Sequence, residues 1–364
     1  MKHNYPIKLL QLIAVFAIAA SSCKKNSTPA PVVVDAKPVT IGLFEYTNST
    51  DNRIFIPISK IGTKTVNYDE IFDTGSTGLT IDASNIIDAN LITSTGFNIA
   101  SGDSVVNNGI TITSHTATMS YGNAISSTKE YGNLAYASIT IPDEAGSGVT
   151  IKRVPMFLYY KIVDQDNKSL TAHSGDIFGV GPGVSFTNSS IASPLSYYSP
   201  GTGLTNGFKL ATLVSADFTS GGTYVENLLT LGLTSADLNS SGFIMHPLST
   251  TNPGGYSPDI PGTITYGGIT TSAQLLFDTG TPSVTIIEDK TAASIGNLPK
   301  NTVVTVTTNK GFTYTYTTTD TNNLTEVQNP NNTNDFRSIF SIDFFVNNEF
   351  LTDYAGHRIG LKNN

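Results

Sequence analysis

Apolar and polar residues alternate along several stretches of the chain, which is the pattern of a β-strand with one buried face. The clearest examples are residues 302–307, with valines between threonines, and residues 312–316, with aromatic residues between threonines. We expect both to form half-exposed antiparallel strands. No long segment repeats its apolar residues with a helical period, so the pattern predicts a mainly β protein.

Composition supports the same prediction. Charged residues make up 13% of the 364 residues, against about 25% in an ordinary globular protein. Thr, Ser, Asn and Gly dominate, with Val, Ile, Tyr and Phe throughout, and this mixture favours strands and turns. The length suffices for one large domain or two lobes with substantial cores. The five histidines show no metal-ligand spacing, so we predict no metal and no cofactor.

The N-terminus has the features of an export signal. Lys2 and Lys8 precede an apolar run at 9–20 that is too short for a membrane-spanning helix. Residues 1–22 are therefore predicted to be a signal peptide. Cys23 follows two serines and resembles the cysteine of a bacterial lipoprotein box, although Ala20 replaces the usual Leu. The alternative is plain secretion with a free thiol.

Lipid attachment at Cys23 predicts a protein anchored in the bacterial cell envelope, at the outer membrane, and leaves open whether it faces the periplasm or the exterior. Cys23 is the only cysteine, so an internal disulfide is excluded. Residues 23–39 contain three prolines and predict an extended tether. The net charge of −8 and the absence of a basic patch with interleaved aromatics argue against nucleic acid as a partner. We expect a monomer.

Two short stretches, one in each half of the chain, are nearly identical. Residues 72–76 read Phe-Asp-Thr-Gly-Ser and residues 277–281 read Phe-Asp-Thr-Gly-Thr. A single turn Asp that bonds its own backbone would be ordinary. Two in matching frames predict that Asp73 and Asp278 meet across a pseudo-twofold axis. Carboxylates in contact cannot both ionise, so the pair shares a proton and can activate water.

These paired Asp-Thr-Gly loops resemble those of the pepsin-like aspartic peptidases. Weaker similarities follow in the family's order from about Ile54 to Leu361, including Tyr-Gly at 121–122, which is similar to the flap hairpin. The resemblance implies a bilobal β fold with the active-site cleft between two pseudo-symmetric lobes. We place the N-terminal lobe at 40–219 and the C-terminal lobe at 220–364.

The resemblance also implies roles for individual residues. Six loop residues would support the dyad: Thr74, Gly75, Ser76, Thr279, Gly280 and Thr281. The threonines would hydrogen-bond across to the opposite loop, and Ser76 and Thr281 would donate to the outer carboxylate oxygens. The glycines allow close backbone approach. Tyr121 and Gly122 would form the flap that closes over a substrate.

Three positions depart from the family pattern. The chain has no Trp, and Thr80 stands where the family usually has the Trp that partners the flap tyrosine. Pro282 replaces a small hydroxyl residue. In the C-terminal segment that passes behind Asp278, Ile342 stands where Gly is expected. These departures put flap anchoring and the packing behind Asp278 in question.

The predicted function is an aspartic endopeptidase with a polypeptide substrate. A pepsin-fold lipoprotein that binds peptides or glycans without cutting them, and a purely structural lipoprotein, are the alternatives. A serine-hydrolase motif Gly-x-Ser-x-Gly is absent. Asp164, Asp166 and Asp259 are candidate calcium ligands, but we interpret them as solvated loop acids.

Overall fold

The computed structural model describes residues 36–49, 51–122, 127–143, 148–185, 191–252 and 254–364. The predicted signal peptide at 1–22 and the lipid site Cys23 lie outside these ranges, as does most of the predicted tether. Within these ranges no helix has the length and apolar character needed to cross a membrane.

The described residues form 24 strands and two α-helices of four and five residues. The first twelve strands are β1 (Val39–Asn48), β2 (Asp51–Ile61), β3 (Lys64–Asp73), β4 (Thr77–Asp82), β5 (Ile92–Thr93), β6 (Gly96–Phe97), β7 (Ser104–Asn107), β8 (Ile110–Gly122), β9 (Ser127–Ile141), β10 (Val149–Asp164), β11 (Ile177–Val180) and β12 (Thr205–Leu210).

The remaining elements follow in chain order: β13 (Thr223–Leu233), α1 (Ser235–Asn239), β14 (Ile244–Pro247), β15 (Ile260–Tyr266), β16 (Ile269–Phe277), β17 (Val284–Glu288), β18 (Gly296–Asn297), β19 (Val303–Thr308), β20 (Thr313–Thr317), β21 (Leu324–Gln328), α2 (Pro330–Thr333), β22 (Arg337–Phe340), β23 (Asn348–Asp353) and β24 (Arg358–Asn363). Three 3₁₀ helices lie at Ala89–Leu91, Pro194–Tyr197 and Ile342–Val346.

Two sheets carry most of the fold. The larger has 14 strands in the order β14-β24-β23-β12-β13-β1-β2-β3-β11-β4-β10-β9-β8-β7, and an additional pairing of β2 with β9 closes part of it into a barrel. The smaller has eight strands in the order β18-β21-β17-β22-β16-β15-β19-β20. The prediction of a mainly β, bilobal, pepsin-like fold is confirmed. The lobe limits at 40–219 and 220–364 stay predictions.

The alternating stretches of the sequence form the strands expected of them. β19 and β20 pair antiparallel, with Val304 opposite Tyr316 and Val306 opposite Tyr314. Their burial alternates, since these four side chains are in the core and the intervening threonines are not. Period-two alternation therefore predicted which face of this hairpin packs inward.

The same three-strand arrangement occurs once in each sheet. β11 lies between β3 and β4, parallel to the first and antiparallel to the second. In the smaller sheet β22 lies between β16 and β17, again parallel to the first and antiparallel to the second. In both cases the turn between the two outer strands carries an Asp-Thr-Gly sequence. The sequence repeat thus corresponds to a repeat in topology.

Candidate active site

Asp73 stands at the end of β3, and its carboxylate is held by its own loop. Oδ1 accepts hydrogen bonds from the backbone N–H groups of Gly75 at 2.8 Å and Ser76 at 2.9 Å. Oδ2 accepts a hydrogen bond of 2.6 Å from Ser76 Oγ. These bonds fix the carboxylate orientation, and Phe72, fully buried just before it, anchors the strand in the core.

Asp278 has the matching arrangement in the second loop. Its Oδ1 accepts a 2.8 Å hydrogen bond from the Gly280 N–H, and its Oδ2 accepts a 2.6 Å hydrogen bond from Thr281 Oγ1. Phe277 precedes it and is buried at 2% exposure. Ser76 and Thr281 therefore play the same part, since each donates to Oδ2 of the carboxyl group in its own loop.

The two loops are joined through their threonines. Thr74 Oγ1 donates to the Phe277 carbonyl at 2.7 Å, and Thr279 Oγ1 donates to the Phe72 carbonyl at 2.6 Å. Each hydroxyl also accepts the other threonine's backbone N–H at 3.0 Å. Both threonines are buried, so these four bonds have no competing water and fix the loops against each other.

The carboxyl groups of Asp73 and Asp278 meet across this junction. A methyl group placed on Gly75 would lie 2.4 Å from Asp278 Cγ, and one on Gly280 would lie 2.5 Å from Asp73 Cγ. Each carboxyl therefore rests against the glycine of the opposite loop, and the two carboxyl groups face each other at the junction. Burial, followed by the charge of Asp278, raises the pKa of Asp73 to about 8.

Arg53 is a site residue that the sequence did not reveal. It lies on β2, and its Nη1 donates a 2.7 Å hydrogen bond to the Gly280 carbonyl, 227 positions away. Beside it the Asn52 N–H lies 3.4 Å from Ser283 Oγ. A lone Arg in a strand gives no local signal of such a partner. This hydrogen bond links the larger sheet to the second Asp loop, which connects two strands of the smaller sheet.

The flap candidate Tyr121 lies near the end of β8, half-buried. Its hydroxyl lies 2.9 Å from Thr80 Oγ1, and Thr80 is 1% exposed. Thr80, which stands at the position of the expected Trp, thus supplies a hydrogen-bond partner to the tyrosine. Gly122 follows with a φ of 98°, a left-handed conformation that glycine adopts without strain. Residues 123–126 lie outside the described ranges.

The Thr80–Tyr121 hydrogen bond leads to a prediction for the flap. Tyr121→Phe and Thr80→Val each remove the bond and keep most of the side-chain volume, so each should lower kcat/KM about fivefold, which corresponds to about 1 kcal/mol. Tyr121→Ala also removes the ring and should cost considerably more, with little change in melting temperature. The double variant Tyr121→Phe, Thr80→Val should be no worse than either single variant. Additive losses would show that the two hydroxyls act separately.

In the segment behind Asp278, the structure places a different residue beside the Asp from the one that the sequence comparison with the family indicated. β22 pairs Ile339 with Leu276 and Phe340 with Phe277, so the next residue along, Ser341, comes level with Asp278. In the other sheet Gly179 pairs with Asp73. The small residue beside the second Asp is therefore Ser341, and Ile342 lies one position further, fully buried.

A buried carboxyl without a hydrogen-bond partner lies under the flap strands. Glu130 on β9 is opposite Met119 on β8, is fully buried, and neither of its oxygens has a partner among the described residues. Burial, with added repulsion from Asp176 and Asp82, raises its pKa to about 9. Burial also raises the pKa of Glu45 to about 7. These carboxyls are neutral in the folded protein at acid pH.

Their titration predicts that stability falls as pH rises. A carboxyl with a raised folded-state pKa stabilises the protein fully below its unfolded pKa of 4.5, and this contribution is lost as pH rises through its folded pKa. For Glu130 the window runs from about 4.5 to 9, and the loss by pH 7 is about 3 kcal/mol. The melting temperature of the wild type should fall steeply between pH 4 and 8, and that of Glu130→Gln should fall less steeply. The exposed Glu226→Gln serves as control; equal slopes in both variants would contradict this assignment.

Two of the three candidate calcium ligands accept hydrogen bonds from residues close in the sequence. Asp164 Oδ1 accepts from the backbone N–H groups of Asp166 at 3.0 Å and Lys168 at 2.8 Å. Asp259 Oδ2 accepts from Ser257 Oγ at 2.8 Å. Within the described ranges no group of three or more His, Cys, Asp or Glu side chains is arranged to hold a metal ion.

The fold is similar to that of two solved structures at low sequence identity. The crystal structure of an aspartic proteinase from Irpex lacteus is 17% identical, with a TM-score of 0.57 over 90% of this chain and 98% of its own. That of Basic 7S globulin from soybean is 14% identical, with a TM-score of 0.56 over 90% of this chain and 96% of its own. No protein-family model and no curated protein sequence matches the chain. The likeness establishes the fold; one neighbour is named a proteinase and the other a globulin.

Proposed function

We propose that the protein is an aspartic endopeptidase that hydrolyses peptide bonds with Asp73 and Asp278. The observation that carries this proposal is the contact between the two carboxyl groups, each held by its own loop and resting on the glycine of the other. A binding protein gains nothing from two buried carboxyls that repel each other. The arrangement is favourable only where a shared proton is used.

The reaction follows from the single proton that the pair holds. The ionised carboxylate takes a proton from a water molecule between the two groups, and the water oxygen attacks the peptide carbonyl carbon. The protonated carboxyl donates a hydrogen bond to the carbonyl oxygen and transfers its proton as the tetrahedral intermediate forms. The intermediate then breaks its C–N bond as a proton passes to the leaving nitrogen. The Ser76 and Thr281 hydroxyls, each 2.6 Å from its carboxylate, favour the ionised form.

The substrate proposed for this site is an extended polypeptide under the flap that carries Tyr121. The proposal includes no cofactor. We also propose that lipid on Cys23 and the tether at 23–39 hold the enzyme at the bacterial envelope. The support for this location is the N-terminal sequence alone.

The second candidate function is binding of peptides or glycans without cleavage. It is favoured by Pro282, which offers no hydroxyl where Thr77 stands in the first loop, and by the missing Trp. Cleavage of an unfolded protein at acid pH, with and without the transition-state analogue pepstatin, distinguishes the two. Pepstatin-sensitive cleavage supports the endopeptidase; binding of the substrate without cleavage supports the binder.

A further inference from the structure

Arg53 places a positive charge beside the second Asp loop. Its Nη1 donates a 2.7 Å hydrogen bond to the Gly280 carbonyl, and Gly280 is the residue against which the Asp73 carboxyl rests. The bond lengths along this path put the guanidinium group within about 10 Å of Asp73 Cγ. Because an extended polypeptide rises by about 3.3 Å per residue, Arg53 is within reach of about three residues of a substrate bound at the dyad.

The side chain of Arg53 shares a face of the larger sheet with Asp73. β2 and β3 are antiparallel, with Phe55 opposite Ile71. The same register carried two residues further brings Arg53 level with Asp73. Side chains two positions apart in a strand point to the same face. Arg53 and Phe55 therefore point to the same side of the sheet as Ile71 and the first carboxyl of the dyad.

Aromatic rings border Arg53 on this face. Tyr46 lies opposite it on β1, and the Tyr46 ring meets the Phe55 ring edge to face, with the ring centroids 6.1 Å apart. All three side chains are half-buried. Because these rings keep part of the water away, an ion pair formed by Arg53 is stronger than one on an open surface.

The charge of Arg53 has no acidic partner within the described ranges. Six ion pairs form there, and none of them includes Arg53. Arg337 provides a contrast, because its Nε and Nη2 donate to the carboxylate of Asp335 at 2.9 and 2.7 Å. A guanidinium group has several N–H donors, and the hydrogen bond to Gly280 uses one of those of Arg53. Donors and a positive charge therefore remain for a ligand.

We propose that Arg53 selects polypeptides with a glutamate or aspartate side chain within about three residues of the cleaved bond, an inference that rests on the proposed endopeptidase function. A planar guanidinium group presents paired N–H donors that match the two oxygens of a carboxylate. The substrate carboxylate supplies the negative charge that no described residue supplies to Arg53. Since the pair forms next to Gly280, it also positions the substrate backbone beside the dyad.

Cleavage of matched peptides tests this preference. The peptides are blocked at both ends, and each position within about three residues of the cleaved bond carries in turn Glu or Gln. At pH 6, where glutamate is ionised, the wild type should cleave the Glu peptide with a kcat/KM about tenfold higher at one or more positions. Arg53→Gln should bring this ratio to about one, whereas Arg53→Lys, which keeps the charge, should retain part of the preference. The exposed Lys60→Gln on the same strand is the control and should leave the ratio unchanged.

The ratio is taken within one variant, so a general loss of activity caused by the missing hydrogen bond to Gly280 does not alter it. A ratio of about one in the wild type at every position, or an unchanged ratio in Arg53→Gln, would overturn the proposal. Arg53→Glu should reverse the preference, in favour of a peptide with Lys at the same position. A continued preference of Arg53→Glu for the Glu peptide would also count against Arg53.

Binding measurements separate this inference from the endopeptidase proposal. Calorimetric titration of Asp73→Asn with the same peptides measures recognition without cleavage. The Glu peptide should bind about tenfold more tightly than the Gln peptide, and adding Arg53→Gln should remove this difference. That result would support Arg53 even where the wild type cleaves neither peptide. Equal cleavage of both peptides would support the endopeptidase and overturn the selection by Arg53.

Discussion

Replacing either Asp73 or Asp278 with asparagine is expected to abolish polypeptide cleavage, with a fall in kcat of about 10³-fold or more. An amide can neither take the proton from water nor give one to the leaving nitrogen, and the remaining carboxyl cannot fill both roles. Since asparagine keeps the shape of the side chain, the melting temperature should change little.

The matched control for this prediction is Asp164→Asn. Asp164 is also a turn Asp whose carboxylate accepts hydrogen bonds from its own backbone, so its variant has the same local effect without touching the dyad. Activity near the wild-type level in either dyad variant would contradict the mechanism. In the wild type kcat/KM should fall as pH rises through about 8, because loss of the shared proton leaves two carboxylates and no acid.

The second large effect is expected from Gly75→Ala and Gly280→Ala. The new methyl group would lie 2.4 Å from Asp278 Cγ in the first variant and 2.5 Å from Asp73 Cγ in the second. The opposite carboxyl must move by about 1 Å to reach a normal contact distance, and a displacement of this size costs about 10²-fold in rate. Activity should therefore fall about 10²-fold while the fold is retained.

Gly221→Ala is the control, since a methyl group there meets nothing within 4 Å. Steady-state kinetics and thermal melting of the three variants check the prediction. In both active-site variants the fall in kcat/KM near pH 8 should also move to lower pH. Separated carboxyls repel each other less, so the shared proton is held less firmly. Full activity in Gly280→Ala would show that the carboxyls are not in the tight contact described above.

Those features of the candidate site that depend on residues close together in the sequence could be predicted. Asp73 and Asp278 each bond within their own turn, and the two turns have the same sequence, so a repeat of five residues was sufficient to identify them. β19 and β20 of the smaller sheet were predictable for the same reason, because their burial alternates with period two. Features of this kind are set by neighbouring residues, so a short stretch of sequence is enough to predict them.

Contacts between distant segments were not predictable, apart from those between the two Asp loops that the family resemblance implied. The bond from Arg53 to the Gly280 carbonyl joins a strand of the larger sheet to a loop between two strands of the smaller one, and nothing in the residues around Arg53 indicates it. The Thr80–Tyr121 bond was hidden for another reason: the missing Trp suggested an unsupported flap, whereas a smaller side chain with a hydroxyl meets the tyrosine at 2.9 Å.

The threonine bonds between the Asp loops also bear on how the chain folds. Each joins groups about 200 positions apart, with 203 between Thr74 and the Phe277 carbonyl, so it forms only after most of the chain has been ordered. A folded half alone would leave these hydroxyl and carbonyl groups to water, because their partners belong to the opposite loop. Assembly of the dyad is therefore a late event in folding, and a nascent or partly folded chain carries two separate carboxylates that cannot yet share a proton.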